Sequence, residues 1–212
     1  MTDTKNLLHF IEQAGTLLQT YRSHKRTLGT SFDTIASHTY HVCVMAYCLA
    51  REEGLSVQDS EKAVAMALFH DLEEERTGDL DFITKNYTKT DEEKANHDQF
   101  SKVNFGQELV DLQNQYSERK SKISQCVRDA DSLAQIYHEW VLMWQGNKLA
   151  EQWFKGDFVE RVPHLFTSTA RSLAEAMKDS NPNEWWWNEL VGRGGRVKTK
   201  GHLLGKNYKE IK

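Results

Sequence analysis

Proline is nearly absent from this chain. Pro163 and Pro182 are the only two in 212 residues, so nothing of that kind interrupts a helix over the first three quarters of the sequence. Runs of β-branched residues are also few. Apolar residues recur instead at i, i+3, i+4 and i+7, the period of a buried helical face. The expected fold class is all-α. Leu7, Leu8, Phe10, Ile11, Ala14, Leu17, Leu18 and Tyr21 predict a first helix over 5–22. Asp33 is the expected N-cap of a second, which runs to about Glu53 and stops at Gly54. A third starts at Ser56 or Asp59 and ends near Thr77, before Gly78. Residues 80–90 read as a loop. Thr90-Asp91-Glu92-Glu93 resembles a capping box for a helix through about Tyr116. Further helices are expected over 119–144 and 159–178. Asn181-Pro182-Asn183-Glu184 then opens a short turn of helix carrying Trp185-Trp186-Trp187.

The length suits one domain. No apolar run approaches 18 residues, so no membrane-spanning helix is expected. The first residues lack the basic-then-apolar order of a signal peptide. Cys43, Cys48 and Cys126 are too scattered for a disulfide framework, which fits a reducing, cytoplasmic setting. The net charge of -4 hides a division. Residues 192–212 hold seven basic side chains against Glu210 alone, a net +6, so the body before them carries -10. The expected organisation is therefore a helical domain over 1–191 and a basic, glycine-rich tail over 192–212. The tail leaves only a small opening for a polyanion such as nucleic acid; its ordinary reading is a solvated terminus.

Nine histidines are the other unusual feature. Two of them join two aspartates in a candidate constellation: His38, His70, Asp71 and Asp131. His38 and Asp131 each interrupt an otherwise apolar helical stripe, and His70-Asp71 lies late in another. A carboxylate in such a place is normally paired or metal-bound, because burying it alone is costly. Imidazole and carboxylate together suit a borderline divalent ion such as Mn, Fe, Co, Ni or Zn. Each residue also has an ordinary alternative, a packing histidine or a solvent-facing aspartate.

The surrounding text narrows this. Ala36-Ser37-His38-Thr39-Tyr40-His41-Val42 is followed by Ala67-Leu68-Phe69-His70-Asp71-Leu72-Glu73-Glu74. Thr77-Gly78-Asp79-Leu80 comes next, and then Val127-Arg128-Asp129-Ala130-Asp131-Ser132-Leu133. This H…HD…D order over 94 positions resembles the HD-domain metal-dependent phosphohydrolases. Within them it looks closest to the branch of the bacterial 5'-deoxynucleotidases. The resemblance covers residues 5–145, and more weakly the stretch to 190. It implies a helical bundle with one divalent metal (Mn, Co, Fe, Ni, Zn or Mg) held between the central helices by His38, His70, Asp71 and Asp131. It favours Asp131 over Asp129. It makes Glu74 the catalytic carboxylate and places Asp79 near the substrate and its water. Arg22 or Arg26 would grip the substrate phosphate, for which the guanidinium fork is suited. The implied reaction is removal of phosphate from (deoxy)nucleoside 5'-monophosphates by metal-activated water. A (d)NTP triphosphohydrolase or pyrophosphohydrolase is the alternative, and a non-catalytic metal-containing binding module is a third reading. The resemblance also points to a homodimer.

Glu73-Glu74-Glu75 falls where a helix C-terminus is expected, against the macrodipole, which singles out at least one of the three. Glu73 and Glu75 are expected on a solvated face. Ser37 departs from the acidic residue common before the first metal histidine. His41 and His138 are possible neighbours of the site.

Overall fold

The fold was analysed in a computed structural model, which describes residues 1–29 and 33–190, with side chains to 187. The basic tail proposed for 192–212 lies outside the described residues. Twelve α-helices and no strand occur among the described residues: α1 Thr4–Thr16, α2 His24–Leu28, α3 Ile35–Glu52, α4 Val57–Phe69, α5 Glu74–Thr77, α6 Phe82–Lys85, α7 Glu92–Phe100, α8 Gly106–Glu118, α9 Lys122–Trp144, α10 Lys148–Glu160, α11 Ser168–Lys178 and α12 Glu184–Leu190. The all-α expectation holds.

The 23-residue α9 is the axis of the bundle. Cys126, Val127, Ala130, Leu133, Ala134 and Ile136 are buried along it, and they meet Val42, Ala46 and Leu49 of α3 and Ala63, Met66 and Ala67 of α4. The small residues let the three helices approach closely. The metal-site candidates therefore sit on α3, on α9 and at the end of α4. A second cluster of Phe10, Leu17, Ile35, Leu72, Phe100, Val103 and Leu109 packs α1 and α7 against the segment that follows α4.

Helix ends follow local chemistry. Thr34, not Asp33, caps α3: its side chain accepts from Ser37 N, and the Ser37 hydroxyl accepts from Thr34 N. Ser37 is thus committed to a capping box. Ser56 caps α4 through Asp59 N. Ser121 caps α9 through Ser124 N.

Four expectations about helix extent are corrected. The first helix stops at Thr16 instead of continuing to 22. Residues 20–22 turn away to bond the start of α3: Arg22 N donates to Asp33 O at 3.0 Å and Ile35 N to Thr20 O at 2.8 Å. The third helix stops at Phe69. Residues 72–76 continue in tighter i→i−3 bonds, such as Glu74 N to Asp71 O and Glu75 N to Leu72 O, and lead into the short α5. The helix expected from 90 to 116 is two helices, α7 and α8. The last long helix is also two: Val162–His164 forms a 3₁₀ turn around Pro163, which separates α10 from α11. The sequence reading assigned no element to most of α10, and it took α6 for loop.

The α7–α8 break has a steric cause. A Cβ on Gly106 would be driven into the carbonyl oxygen of Phe100. The two helices can turn there only because the side chain is missing. Gly106→Ala is expected to destabilise the fold by about 3 kcal/mol or more. Thermal denaturation should show this as a fall of roughly 6–12 °C, at about 2–4 °C per kcal/mol for a chain of this size.

Candidate metal centre and adjoining cleft

His70 is the C-cap of α4, and Asp71 follows it in the i→i−3 turn. The His70 ring is buried, and its Nδ1 lies 2.7 Å from the Ala67 carbonyl oxygen. A carbonyl only accepts, so Nδ1 carries the hydrogen. In the neutral ring Nε2 is then the lone-pair nitrogen, buried and with no hydrogen-bond partner. It sits 3.1 Å from Asp71 Oδ2. His38, buried on α3, places its Nε2 3.1 Å from Asp131 Oδ1 and 3.8 Å from Asp71 Oδ2. His70 Nε2 is 4.0 Å from Asp131 Oδ1. One ligand atom each from His38, His70 and Asp71 lies within 4.8 Å of the others.

Lone pairs do not gather in this way without a positive charge among them. Burial disfavours a protonated His70, but the Asp71 and Asp131 carboxylates outweigh it and raise its pKa to about 9. A divalent ion supplies the same charge in place of the proton. Two imidazole nitrogens and two carboxylate oxygens suit such an ion in chemistry; His38, His70 and Asp71 form the close cluster, and Asp131 Oδ1 lies beside the two histidines. Binding must then displace a proton from His70 over the range in which the free protein holds it. Affinity for Mn²⁺ is expected to rise with pH, by up to about tenfold per unit, and to level above pH 9. Calorimetric titration in buffers of different ionisation enthalpy checks this through the proton released.

Asp131 is fixed from behind. Tyr116 at the end of α8 donates its hydroxyl to Asp131 Oδ2 at 2.9 Å, and Arg128 Nη1 donates to the same oxygen at 2.6 Å. Oδ2 is thereby occupied, and Oδ1 is turned towards the two histidines. The sequence reading missed both supports. The signal for Arg128 was its i,i+3 spacing to Asp131 on one helical face; nothing local marked Tyr116. Arg128→Ala should weaken metal binding by about 10–100-fold, the usual cost of losing a group that orients a ligand. Metal titration monitored by activity or calorimetry would show it. Asp129 faces elsewhere. It accepts from Phe166 N, Thr167 N and Thr167 Oγ1 at 2.7–2.9 Å, so it anchors the start of α11.

The cluster opens onto a cavity of about 520 Å³. Asp71, Asp131, Glu74, Asp79 and Arg22 line it. The early end of α1 matters here, because it releases Arg22 from a helix and sends its side chain into the cluster. Its Nη1 is 3.5 Å from Asp71 Oδ2 and its Nε 3.4 Å from Asp79 Oδ2. Asp79 also accepts from Ser23 N at 2.9 Å, which pins this segment over the site. Arg26 is placed differently. It is more than half exposed, pairs with Asp81 at 2.9 Å, and does not line the cavity.

Glu74 lies in the first turn of α5, not at a helix C-terminus, so the macrodipole argument does not apply to it. Its environment is informative instead. Its Oε2 is buried without a partner. Burial and the nearby Asp71 and Asp79 carboxylates raise its pKa to about 9. Glu73 and Glu75 are not on a solvated face either. Both are half-buried, accepting from Gln113 Nε2 and Gln99 Nε2 at 3.1 Å.

His41 and His138 stand off from the cluster. His41 packs edge-on against Tyr137 at 4.5 Å between ring centres. His138 faces Asp33, at 3.6 Å, and stacks on His24. In the tryptophan run, Trp185 and Trp187 are exposed and Trp186 donates to Asn183 Oδ1.

The helical bundle gathers two imidazoles and two carboxylates at the mouth of a cavity, a candidate site for a divalent ion. The chain belongs to the HD-domain family, whose pattern matches residues 14–171. It is 28% identical over 188 residues to the 5'-deoxynucleotidase HDDC2 of Dictyostelium discoideum, covering 82% of this chain and 99% of the relative. A conserved hypothetical protein from Pyrococcus furiosus shares 25% identity at a TM-score of 0.67, over 82% of this chain and 99% of its own. A predicted metal-dependent phosphohydrolase from Magnetospirillum magnetotacticum is 19% identical with a TM-score of 0.64, over 84% and 95% of the two chains. No helix among the described residues is long and apolar enough to cross a membrane.

Proposed function

We propose that the chain is a metal-dependent phosphohydrolase that removes phosphate from (deoxy)nucleoside 5'-monophosphates. The observation that carries this reading is the unpartnered, buried Nε2 of His70, facing carboxylate oxygens beside a cavity that Arg22 and Glu74 also line. The 5'-deoxynucleotidase relative supports the substrate class.

His38, His70, Asp71 and Asp131 would hold one divalent ion. When bound, such an ion lowers the pKa of a water and polarises a phosphoryl oxygen. The chain's own groups do the rest. Arg22 is already a neutralising partner of Asp71 and Asp79, and it turns its fork to the phosphate oxygens. Glu74 holds a proton in the free site, gives it to the leaving 5'-oxygen and, once ionised, takes one from the attacking water. Asp79 keeps Arg22 and the Ser23 backbone in register over the phosphate.

The alternative, cleavage of a triphosphate, requires unpaired cations beyond Arg22. The other arginines of the cavity are paired, Arg128 with Asp131 and Arg161 with Asp157, as Arg22 is with Asp71 and Asp79; Lys85 also lines it, with no ion pair among the described residues, so the choice falls to the products. Product analysis with dAMP and dATP separates the two: inorganic phosphate from dAMP supports the proposal, and triphosphate from dATP with dAMP untouched would replace it.

A further inference from the structure

The cavity extends well past the groups that a phosphate needs. Arg128, Asp131, Gln135 and Glu139 all line it from α9, at spacings of three and four residues, so they form one face of that helix. From Asp131 to Glu139 this face advances about 12 Å, at 1.5 Å per residue. That is room for a sugar and a base beyond a phosphate held at the metal end. The helix opposite supplies the other wall. Trp153 and Asp157 line the same cavity from α10, one turn apart. The Trp153 ring is held edge-on by His24 at 5.7 Å and by Phe82 at 5.8 Å between ring centres.

The polar groups at this far end are unusual. Glu139 is fully buried, and its Oε2 and Asp157 Oδ2 are buried with no partner other than each other's carboxyl group. Their other oxygens are fixed, Glu139 Oε1 by Gln135 Nε2 and Asp157 Oδ1 by Arg161 Nε at 3.2 Å. Burial, then Asp157, pushes Glu139 up to about 8; burial raises Asp157 too, while Arg161 acts against that shift. Asp157 lines the cavity with its side chain 13% exposed, and Arg161, which lines the cavity as well, pairs with its Oδ1. At this wall the Asp157 carboxylate accepts N–H donors and disfavours a carbonyl oxygen set against it.

We propose that Trp153 and the Glu139–Asp157 pair, with Gln135 beside it, form a nucleobase subsite that selects amino-bearing bases over thymine and uracil. It rests on the nucleotide reading above. Trp153 supplies a stacking face that tolerates any base. The carboxyl pair accepts from the exocyclic amino group of cytosine, adenine or guanine. Thymine and uracil present a carbonyl at the place where cytosine presents its amino group, and they are disfavoured there.

The pyrimidine pair tests this with size held constant. Phosphate release from dCMP and dTMP by the Mn²⁺-loaded protein should favour dCMP by about tenfold or more in kcat/KM, the range of a hydrogen bond to a charged group. Glu139→Gln should collapse that ratio towards one. Asp157→Asn, at a less buried position, is the second variant and should do the same. Trp153→Phe should keep the ratio while raising KM for both. Thermal melts establish that each variant is folded. Equal use of dCMP and dTMP by the wild-type protein, or a ratio unchanged in both carboxyl variants, overturns the subsite and leaves the phosphohydrolase reading intact. Equilibrium binding of dCMP and dTMP is measured in parallel. Tighter dCMP binding without phosphate release upholds the subsite and removes the proposed reaction; equal binding without release overturns both.

Discussion

Asp71→Ala is expected to abolish metal retention and, with it, phosphate release. Asp71 Oδ2 is the oxygen nearest His70 Nε2 and also faces His38 and Arg22. Removing it takes away a charge and a ligand atom from a four-member set. An ion stabilises developing charge by several kcal/mol, and about 4 kcal/mol corresponds to about 10³ in rate. A loss of that size or larger is expected. Metal content after desalting gives the direct readout. Thermal melting gives an independent one: at 100-fold excess over Kd, a bound ion stabilises the fold by about 2.7 kcal/mol. The wild-type Tm should therefore rise on adding Mn²⁺, and that of the variant should not. Full turnover with metal retained would remove Asp71 from the ligand set.

Glu74→Gln should have the second-largest effect, with a different signature. Its carboxyl group is not among the clustered ligand atoms, so metal binding should persist. The amide keeps the shape and hydrogen bonding but cannot exchange a proton. A kcat lower by about 10²–10⁴ is expected, the usual contribution of a positioned acid–base group. The sign of the pH effect follows from the raised pKa. Protonated Glu74 is present below its pKa and lost as pH rises through it, so the part of the rate that needs the proton falls on the alkaline side. The Gln variant should lack that limb. An unchanged kcat would exclude Glu74 from the chemistry.

The four residues proposed as ligands could be picked out in the sequence because they sit in fixed local phrases on, or just past the end of, helices with strong apolar faces. What escaped had a tertiary cause. Leu17, Leu18 and Tyr21 continue the apolar period of α1, and only the backbone bonds to residues 33–35 show that the helix has ended. The position of Arg22 over Asp71 depends on that turn, so the choice between Arg22 and Arg26 could not be made from spacing. The break between α7 and α8 depends on Gly106 meeting Phe100 across a corner. Tyr116 and Arg128 act on the far oxygen of Asp131, and the ligand pattern gives no sign of it. Pro163 did mark the α10–α11 break, but the apolar residues on either side bridge it in pattern. The glutamate run was singled out for the wrong reason: Glu74 stands out by burial beside Asp71, and its place on a helix contributes nothing.

The central claim is that one ion, held by these four residues, drives phosphate release. Stripped protein should be titrated with Mn²⁺ while bound metal and phosphate released from dAMP are both measured. The account predicts that the two rise together and break at one equivalent per chain. Saturation with metal at one equivalent and no phosphate released, or release that does not depend on added metal, would contradict it.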